Sequence, residues 1–537
     1  MASRIITTIQ ILIALLVIPL IKAQWQPNSF EASLLHQACF NTENRTACLS
    51  RISTAHRQGA GGPIPILHAA INGALEEATE TIEHVSDMSA VSNDVREEMA
   101  VRDCVELLGY SLDELKWSLE MMEEIDPAVG NSHREESLRS WLSAALSNQE
   151  TCMEGFDGTD GRLHVHVERK VRQLTQLVSN ILALHKRLRS IIPHMVHENN
   201  TGSATFDLPP LPTWLTRDDE ELMHKRRRSV HADAVVALDG TGHFRSIGEA
   251  INNSPSHSSR RYVIYVKQGE YKENVDVKRK RRNIALIGDG MGKTVISGSR
   301  SFASGWTTFR SATFAVSGPG FIARDITFRN TAGPQGRQAV ALRVDSDRSV
   351  FYRCSIEGYQ DTLYAHSLRQ FYRDCNIYGT VDIIFGNGLI VVQHSNIYNR
   401  IPLPGQQVTI TAQGRKDPNQ DTGFSMQDCF VDATYPTYLG RPWKPYSRTV
   451  FMQSYLGPQV KPAGWLEWYG NFGLDTLFYG EYMNHGPGSG LGGRVKWPGY
   501  HIIKDPAMAA MFTVRRFIDG LSWLPNTGVI FTADLDG

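Results

Sequence analysis

Two textures of hydrophobic patterning divide the chain. From residue 64 to about 190, apolar positions recur every three or four residues: Leu67, Ile71, Leu75, Ala78, Ile82 and Val85 make one stripe, and Cys104, Leu108, Leu112, Leu115, Leu119 and Met122 another. Val171, Leu174, Val178, Ile181 and His185 continue the theme. This period gives each of several long helices one apolar face and predicts an antiparallel bundle. After residue 232 the helical period is nearly absent. Short runs rich in β-branched and aromatic residues replace it, among them YVIYVKQGEY, NIALIGDG, SVFYRC and QQVTITAQG, separated by glycine and asparagine turns. Three of these runs share a unit, VFYRCSI, QFYRDCNI and VVQHSNI, whose last isoleucines, Ile356, Ile377 and Ile397, lie 21 and 20 residues apart. A fixed period, short strands and no intervening helices predict a parallel β-helix with one coil per repeat. Between the two halves, residues 199–232 lose both patterns and gain prolines and clustered charge, which reads as a linker.

Length and charge add limits. A chain of 537 residues exceeds one core, and two domains are the working expectation. Its 55 basic residues nearly cancel its 56 acidic ones, so net charge points to neither a nucleic-acid nor a membrane partner. Residues 1–23 carry Arg4, an apolar stretch from Ile11 to Ile21, and Ala23 as a cleavage position, the layout of a secretory signal peptide. An uncleaved signal anchor is the alternative, and would be the chain's sole membrane contact. Seven cysteines fit an oxidising compartment: Cys104 and Cys152 could staple two helices, and Cys39 and Cys48 could close a short hairpin. Sequons at Asn44, Asn199 and Asn252 agree with that compartment.

Two charge runs stand out. Lys225 to Arg228, within the linker, reads as a processing site, with a solvated patch as the bland alternative. Lys278 to Arg282 reads equally as an exposed turn or as a contact for a polyanion.

The candidate chemistry lies in GYQDTLYAHSLRQFYRDCNIYGTVDIIFG, residues 358–386. Asp361 and Asp382 are 21 positions apart, and so are Cys354 and Cys375. With 21 residues per coil, such pairs sit side by side on adjacent strands, roughly 4.8 Å apart. That separation suits a disulfide between Cys354 and Cys375. Gln338 lies 22 before Gln360, and Gln360 lies 22 before Asp382, so two amides join two carboxylates on one face. Polar ladders are common inside β-helices. Two adjacent carboxylates, however, push their ionisations apart, leaving one acid and one anion. Such a pair can cleave a glycosidic bond, or an ester with a carboxylate as nucleophile. The glutamines, as donors to an oxyanion, favour the ester. No G-x-S-x-G elbow or H-E-x-x-H zinc site competes. His366 reads as structural or substrate-facing, and Cys429 as a buried core thiol.

These residues resemble the plant pectin methylesterases. GEYKENV, TTFRSATFAV, GFIARDITFRNTAG, QAVALRV, GYQDTLYAHS, QFYRDCNIYGTVDIIFG and YLGRPWKPYSRTV follow the order and spacing of that family's signature blocks, from about residue 232 to the C-terminus. The N-terminal region resembles the pectin methylesterase inhibitor domain, a four-helix bundle with two disulfides. The resemblance implies a right-handed parallel β-helix (232–537) preceded by a signal peptide (1–23), an inhibitor-like helical pro-domain (24–195) and a linker with the processing site (196–231). It implies Asp382 as nucleophile on the methyl ester of galacturonate and Asp361 as the acid that releases methanol and then activates water. Gln360 and Gln338 would steady the oxyanion, Arg441 would hold Asp382 ionised, and Thr308, Gln338, Arg441 and Trp443 would contact the sugar chain. Tyr364, Tyr271 and Trp465 are weaker candidates, since isolated aromatics more often pack than bind.

Three departures mark this chain. Ile383 replaces a phenylalanine of DFIFG, Arg337 replaces a histidine, and KRRRSV replaces the usual processing motif. No metal or organic cofactor is implied. The partners implied are pectin, the pro-domain acting in cis and a separate proteinaceous inhibitor, for a monomer secreted to the cell wall. The rival readings are an inactive β-helix behind a regulatory bundle, or a pectin-cleaving β-helix glycosidase.

Overall fold

Four long helices, three of them built on the predicted apolar stripes, form the core of the N-terminal half. The computed structural model describes residues 29–42, 45–57, 63–88, 94–123, 132–159, 161–191 and 231–535. The apolar leader, the linker with its basic run, Asn44 and Asn199 lie outside these. Helices α1 (Ser29–Ala38) and α2 (Arg45–Arg57) precede the long α3 (Pro63–Met88), α4 (Val95–Glu123), α5 (Ser132–Glu154) and α6 (Arg162–Ile191). Leu67, Ile71, Ala78 and Val85 of α3 are buried against Cys104, Leu108, Leu115 and Met122 of α4 and Val171, Leu174, Val178 and Ile181 of α6. The segment read as a simple hairpin is a pair of helices, α1 and α2, joined by the Cys39–Cys48 disulfide. Cys104–Cys152 staples α4 to α5, as the spacing suggested. No described helix is long and apolar enough to cross a membrane.

Residues 234–502 wind into coils that stack three parallel sheets of 11, 8 and 7 strands. The coil period is visible in the ladders. Leu342 stands opposite Leu363, and Leu363 opposite Ile384, each a step of 21. Ile356, Ile377 and Ile397 form one fully buried column of the 8-stranded sheet. Alternation along each short strand sends one residue inward and the next outward, so a one-residue change of register would expose this column.

One expectation is corrected. Cys354 and Cys375 occupy matching positions on neighbouring coils, but they are free thiols, not a disulfide. Each points into the core and donates to the backbone instead, Cys375 Sγ to the carbonyls of Phe351 and Arg373 at 3.3 Å and Cys354 Sγ to that of Tyr352 at 3.5 Å. Matching position and spacing place the two thiols in contact with each other, yet no S–S bond joins them. Cys429 lies in the same kind of ladder, buried, its thiol pushed up to about 12 chiefly by that burial, as expected of a core residue.

The outward face of the 7-stranded sheet positions the site. Its central column runs Asp276, Ala315, Arg343, Tyr364, Phe385, Ala412 from coil to coil. Ala315, Tyr364, Phe385 and Ala412 share one apolar cluster with the helical bundle, with Trp443 and Trp468 packed at its margin. The bundle therefore sits on this face of the β-helix.

Candidate active site

The turn that enters each strand of this face carries the carboxylates. Asp361 precedes the strand Leu363–Ala365, and Asp382 precedes Ile384–Gly386, so the 21-residue step places them on adjacent coils. Both adopt left-handed backbone, φ 61° and 52°. Aspartate tolerates this region better than most residues, because its short polar side chain can satisfy the nearby backbone. Gln338 and Gln360 are shifted by one: the ladder places Ala339 N–H on the Gln360 carbonyl and Asp361 N–H on that of Val381. The interval of 22 thus reflects a common rim rather than direct pairing.

All seven sequence-derived site residues line one cleft of about 380 Å³: Thr308, Gln338, Gln360, Asp361, Asp382, Arg441 and Trp443. Arg441 clasps Asp382 through both arms, Nε to Oδ1 at 2.8 Å and Nη2 to Oδ2 at 2.6 Å. Such a bidentate pair holds the carboxylate charged and fixes its plane. Burial pulls the Arg441 pKa down, yet the Asp382 charge more than offsets this and leaves it raised. Asp361 has no ion-pair partner among the described residues. Burial first, and the Asp382 charge second, drive its carboxyl well above the usual range against the opposing influence of Arg441. One carboxylate is a clamped anion and its neighbour a retained acid, the division that carboxylate catalysis requires.

Several supporting residues escaped the sequence reading. Thr409 accepts from Asp382 N–H at 2.9 Å and donates to Asp382 Oδ1 at 2.7 Å, fixing backbone and side chain together. It belongs to the run QQVTITAQG, whose alternation predicts a strand but gives no hint of a catalytic neighbour 27 positions away. Gln406 Nε2 lies 3.5 Å from Gln360 Oε1, the acceptor end of that amide. Trp468 also lines the cleft, with the Arg441 guanidinium 4.2 Å above its ring. Gly440, just before Arg441, leaves room for the neighbouring coil: a Cβ there would meet Thr411 Oγ1 at 2.1 Å.

The weaker aromatic candidates separate cleanly. Tyr364 lines the cleft, stacked on Phe385 at 4.2 Å. Tyr271 is buried, its hydroxyl on the Lys267 carbonyl, and Trp465 is 1% exposed and stacked on Tyr479, so both are core residues. Ile383 is buried in the β-helix core and points away from Asp382. Arg337 is exposed at the cleft rim. His366 is buried, with burial holding its pKa far below the usual value, and its Nε2 bonds Thr151 Oγ1 at 2.8 Å. His366 is not among the residues that line the cleft, so its imidazole does not face the carboxylate pair.

The bundle completes the walls. Arg96, Thr151, Glu154, Gly155 and Asp157 line the same cleft. Thr151 Oγ1 lies 3.2 Å from the Tyr364 hydroxyl, and Glu154 pairs with Lys444 at 2.6 Å.

Comparison with known proteins follows this division. Residues 233–521 match the Pectinesterase family, and residues 33–184 match the plant invertase/pectin methylesterase inhibitor family. A pectinesterase/pectinesterase inhibitor of Arabidopsis thaliana is 55% identical over 515 residues, covering 94% of this chain and 93% of its own. One from Prunus persica is 50% identical over 477 residues, covering 86% and 88%. The solved pectin methylesterase from carrot is 51% identical with a TM-score of 0.57, matching 58% of this chain and all of its own. With the carboxylate pair, its arginine clamp and the covering bundle in place, this chain belongs to the pectinesterase family and carries an inhibitor-type domain ahead of its catalytic β-helix.

Proposed function

We propose that this chain hydrolyses methyl esters of cell-wall homogalacturonan to the free acid and methanol, and that the bundle holds the cleft covered in the full chain. The observation that carries this reading is the asymmetry of the carboxylates: Asp382 gripped through both oxygens by Arg441, Asp361 beside it and held protonated. In the first half-reaction a free electron pair on Asp382 attacks the ester carbonyl carbon. The carbonyl oxygen becomes an oxyanion, for which the amides of Gln338 and Gln360 are the donors, each worth roughly a hundredfold in rate. Collapse breaks the carbonyl–OCH₃ bond, and the departing methoxide takes the Asp361 proton to leave as methanol. Asp361, now ionised, removes a proton from water as that water attacks the anhydride, and the leaving carboxylate regenerates Asp382. Arg441 stabilises Asp382 as nucleophile and again as leaving group.

The sugar chain would run along the coil-stacking direction from Thr308 past the carboxylates to Trp443, with Trp468 beside it. Exposing Tyr364 and Phe385 by lifting the bundle would add an apolar floor for sugar C–H faces. We assign the chain to the cell wall as a secreted monomer, with residues 1–23 removed as a signal peptide, Asn252 as a glycan acceptor and the Lys225–Arg228 run as the cleavage point. Asn252 lies exposed near the end of the helix Ile247–Asn253, which suits an acceptor. Methylated pectin supplies the test: methanol release without loss of polymer length supports esterase chemistry, whereas shortening of the polymer would replace it with a glycosidase or lyase.

A further inference from the structure

The seam between bundle and β-helix is sorted by sign. Around the cleft, the ion pairs that cross the seam take their carboxylates from the bundle and their cations from the β-helix, while the bundle's Arg96 lies over the Phe302 ring. From α4, Asp103 and Glu106 pair with Arg310, Glu106 also with Lys278 at 2.7 Å, and Glu114 with Arg279. From α5, Glu150 pairs with Lys416 at 2.7 Å and Glu154 with Lys444 at 2.6 Å. The reverse polarity occurs elsewhere in the seam, in Arg139 with Asp421 and His133 with Asp519. The turn Lys278–Arg282 is therefore neither a bare surface turn nor free for a ligand. Arg279 is buried, its guanidinium 4.1 Å over the Tyr110 ring, and Arg282 lies over Trp117.

Remove the bundle's carboxylates, and the first group retains Lys278, Arg279, Arg310 and Arg343 against only Asp276 and Asp345 of the β-helix itself. Position matters as much as sign. Arg310 follows Thr308 and Phe309 at one end of the cleft, and Lys444 follows Trp443 at the other. A chain lying in the cleft would meet cations beyond both of its ends. Along α4, Asp103 and Glu114 are eleven residues apart, roughly 16 Å of helix, so the bundle lays a row of carboxylates across these cations. A de-esterified galacturonan presents the same chemical group, a carboxylate on each sugar, at repeated intervals.

We propose that Lys278, Arg279 and Arg310, with Lys416 and Lys444 beyond the opposite end of the cleft, form a site for de-esterified galacturonan that the bundle's carboxylates occupy in the full chain. The polymer and the bundle then compete, and the product of the reaction helps to displace the inhibitor. Invasion has a foothold, because the Lys278 and Lys416 side chains are 44% and 55% exposed even with the bundle docked. This inference rests on the reading that the chain acts on galacturonan.

Hydrogen–deuterium exchange on the full chain tests it. The probes are oligogalacturonate and its carboxyl-reduced, uncharged counterpart of equal length. Oligogalacturonate should speed exchange in the α4 segment 103–114 and the α5 segment 150–154 in a saturable, salt-sensitive manner, and the uncharged oligomer should not. Lys278→Gln with Lys416→Gln, two partly exposed positions that put folding at little risk, removes two pairs of the seam and should raise the exchange seen without oligomer. The further acceleration that oligogalacturonate adds should shrink about tenfold. No acceleration, equal acceleration by both oligomers, or an unchanged response in the double variant would overturn the site. If the seam opens but methylated pectin yields no methanol, the hydrolase reading falls and the anion site stands; methanol release with an unresponsive seam removes the site alone.

Discussion

Arg441 grips both oxygens of Asp382, at 2.8 and 2.6 Å, from a position 59 residues further along the chain. The clamp fixes the plane of the carboxylate as well as its charge. Arg441→Lys keeps the charge but cannot span both oxygens. Turnover should fall roughly a hundredfold, the scale of an ångström-sized misplacement of a reacting group. Steady-state kinetics on the β-helix domain check this, and an unchanged kcat would remove the orienting role.

Thr409 adds a second hold on the same residue. Thr409→Val preserves shape while removing the bond to Asp382 Oδ1 and the acceptor for Asp382 N–H. A charge-assisted bond worth about 1.5 kcal/mol corresponds to roughly a tenfold change in rate. The loss should fall on kcat with KM little altered, and the stranded N–H should lower thermal stability. A change confined to KM would contradict a positioning role.

Asp361 carries a linked cost in stability. Its carboxyl is held protonated in the folded state by burial and by Asp382, well above the ordinary value of 3.8. Below that value both folded and unfolded states are protonated, and nothing depends on pH. As pH rises above about 4, the unfolded state loses its proton while the folded state retains it, so this group lowers stability with rising pH until its folded pKa is passed. Asp361→Asn removes that dependence. The variant should be inactive yet melt higher than the parent at neutral pH, with the difference shrinking toward pH 3. An equal Tm difference at both pH values would show that the fold does not hold the Asp361 carboxyl above its ordinary range.

Glu154 lines the cleft from the bundle side and pairs with Lys444 beside Trp443. Glu154→Gln in the full chain should weaken docking and raise methanol release severalfold toward that of residues 229–537, since a partly buried pair is worth about 1 kcal/mol. Equal activity of the unmodified full chain and the 229–537 form would end the inhibitory reading.

Much of this arrangement was legible because it is periodic. The apolar stripes of α3, α4 and α6 state the bundle directly, and coils of 21 and 20 residues expose the β-helix through Ile356, Ile377 and Ile397. Legibility fades where the period breaks: Ile397 stacks on Val431, a step of 34, and Ile384 on Thr411, a step of 27. The longer excursions bring in Gln406 and Thr409, and for that reason neither was found. Arg441 and Trp443 came from the family resemblance, not from spacing. Even inside the period, the Cys354–Cys375 disulfide was misread, since register fixes which residues are neighbours but not whether two neighbouring thiols are joined. The basic turn at Lys278 needed its partner in view, because its meaning depends on the acids of α4.

The most direct test of the central claim is methanol release from methylated pectin by the β-helix domain, residues 229–537, compared with its Asp382→Asn variant. The variant keeps the shape of the side chain but loses the nucleophilic anion. The account predicts activity in the parent and a loss of at least about 10⁴-fold in the variant with an unchanged fold. Methanol release by the variant at the parent's rate would contradict Asp382 as the nucleophile.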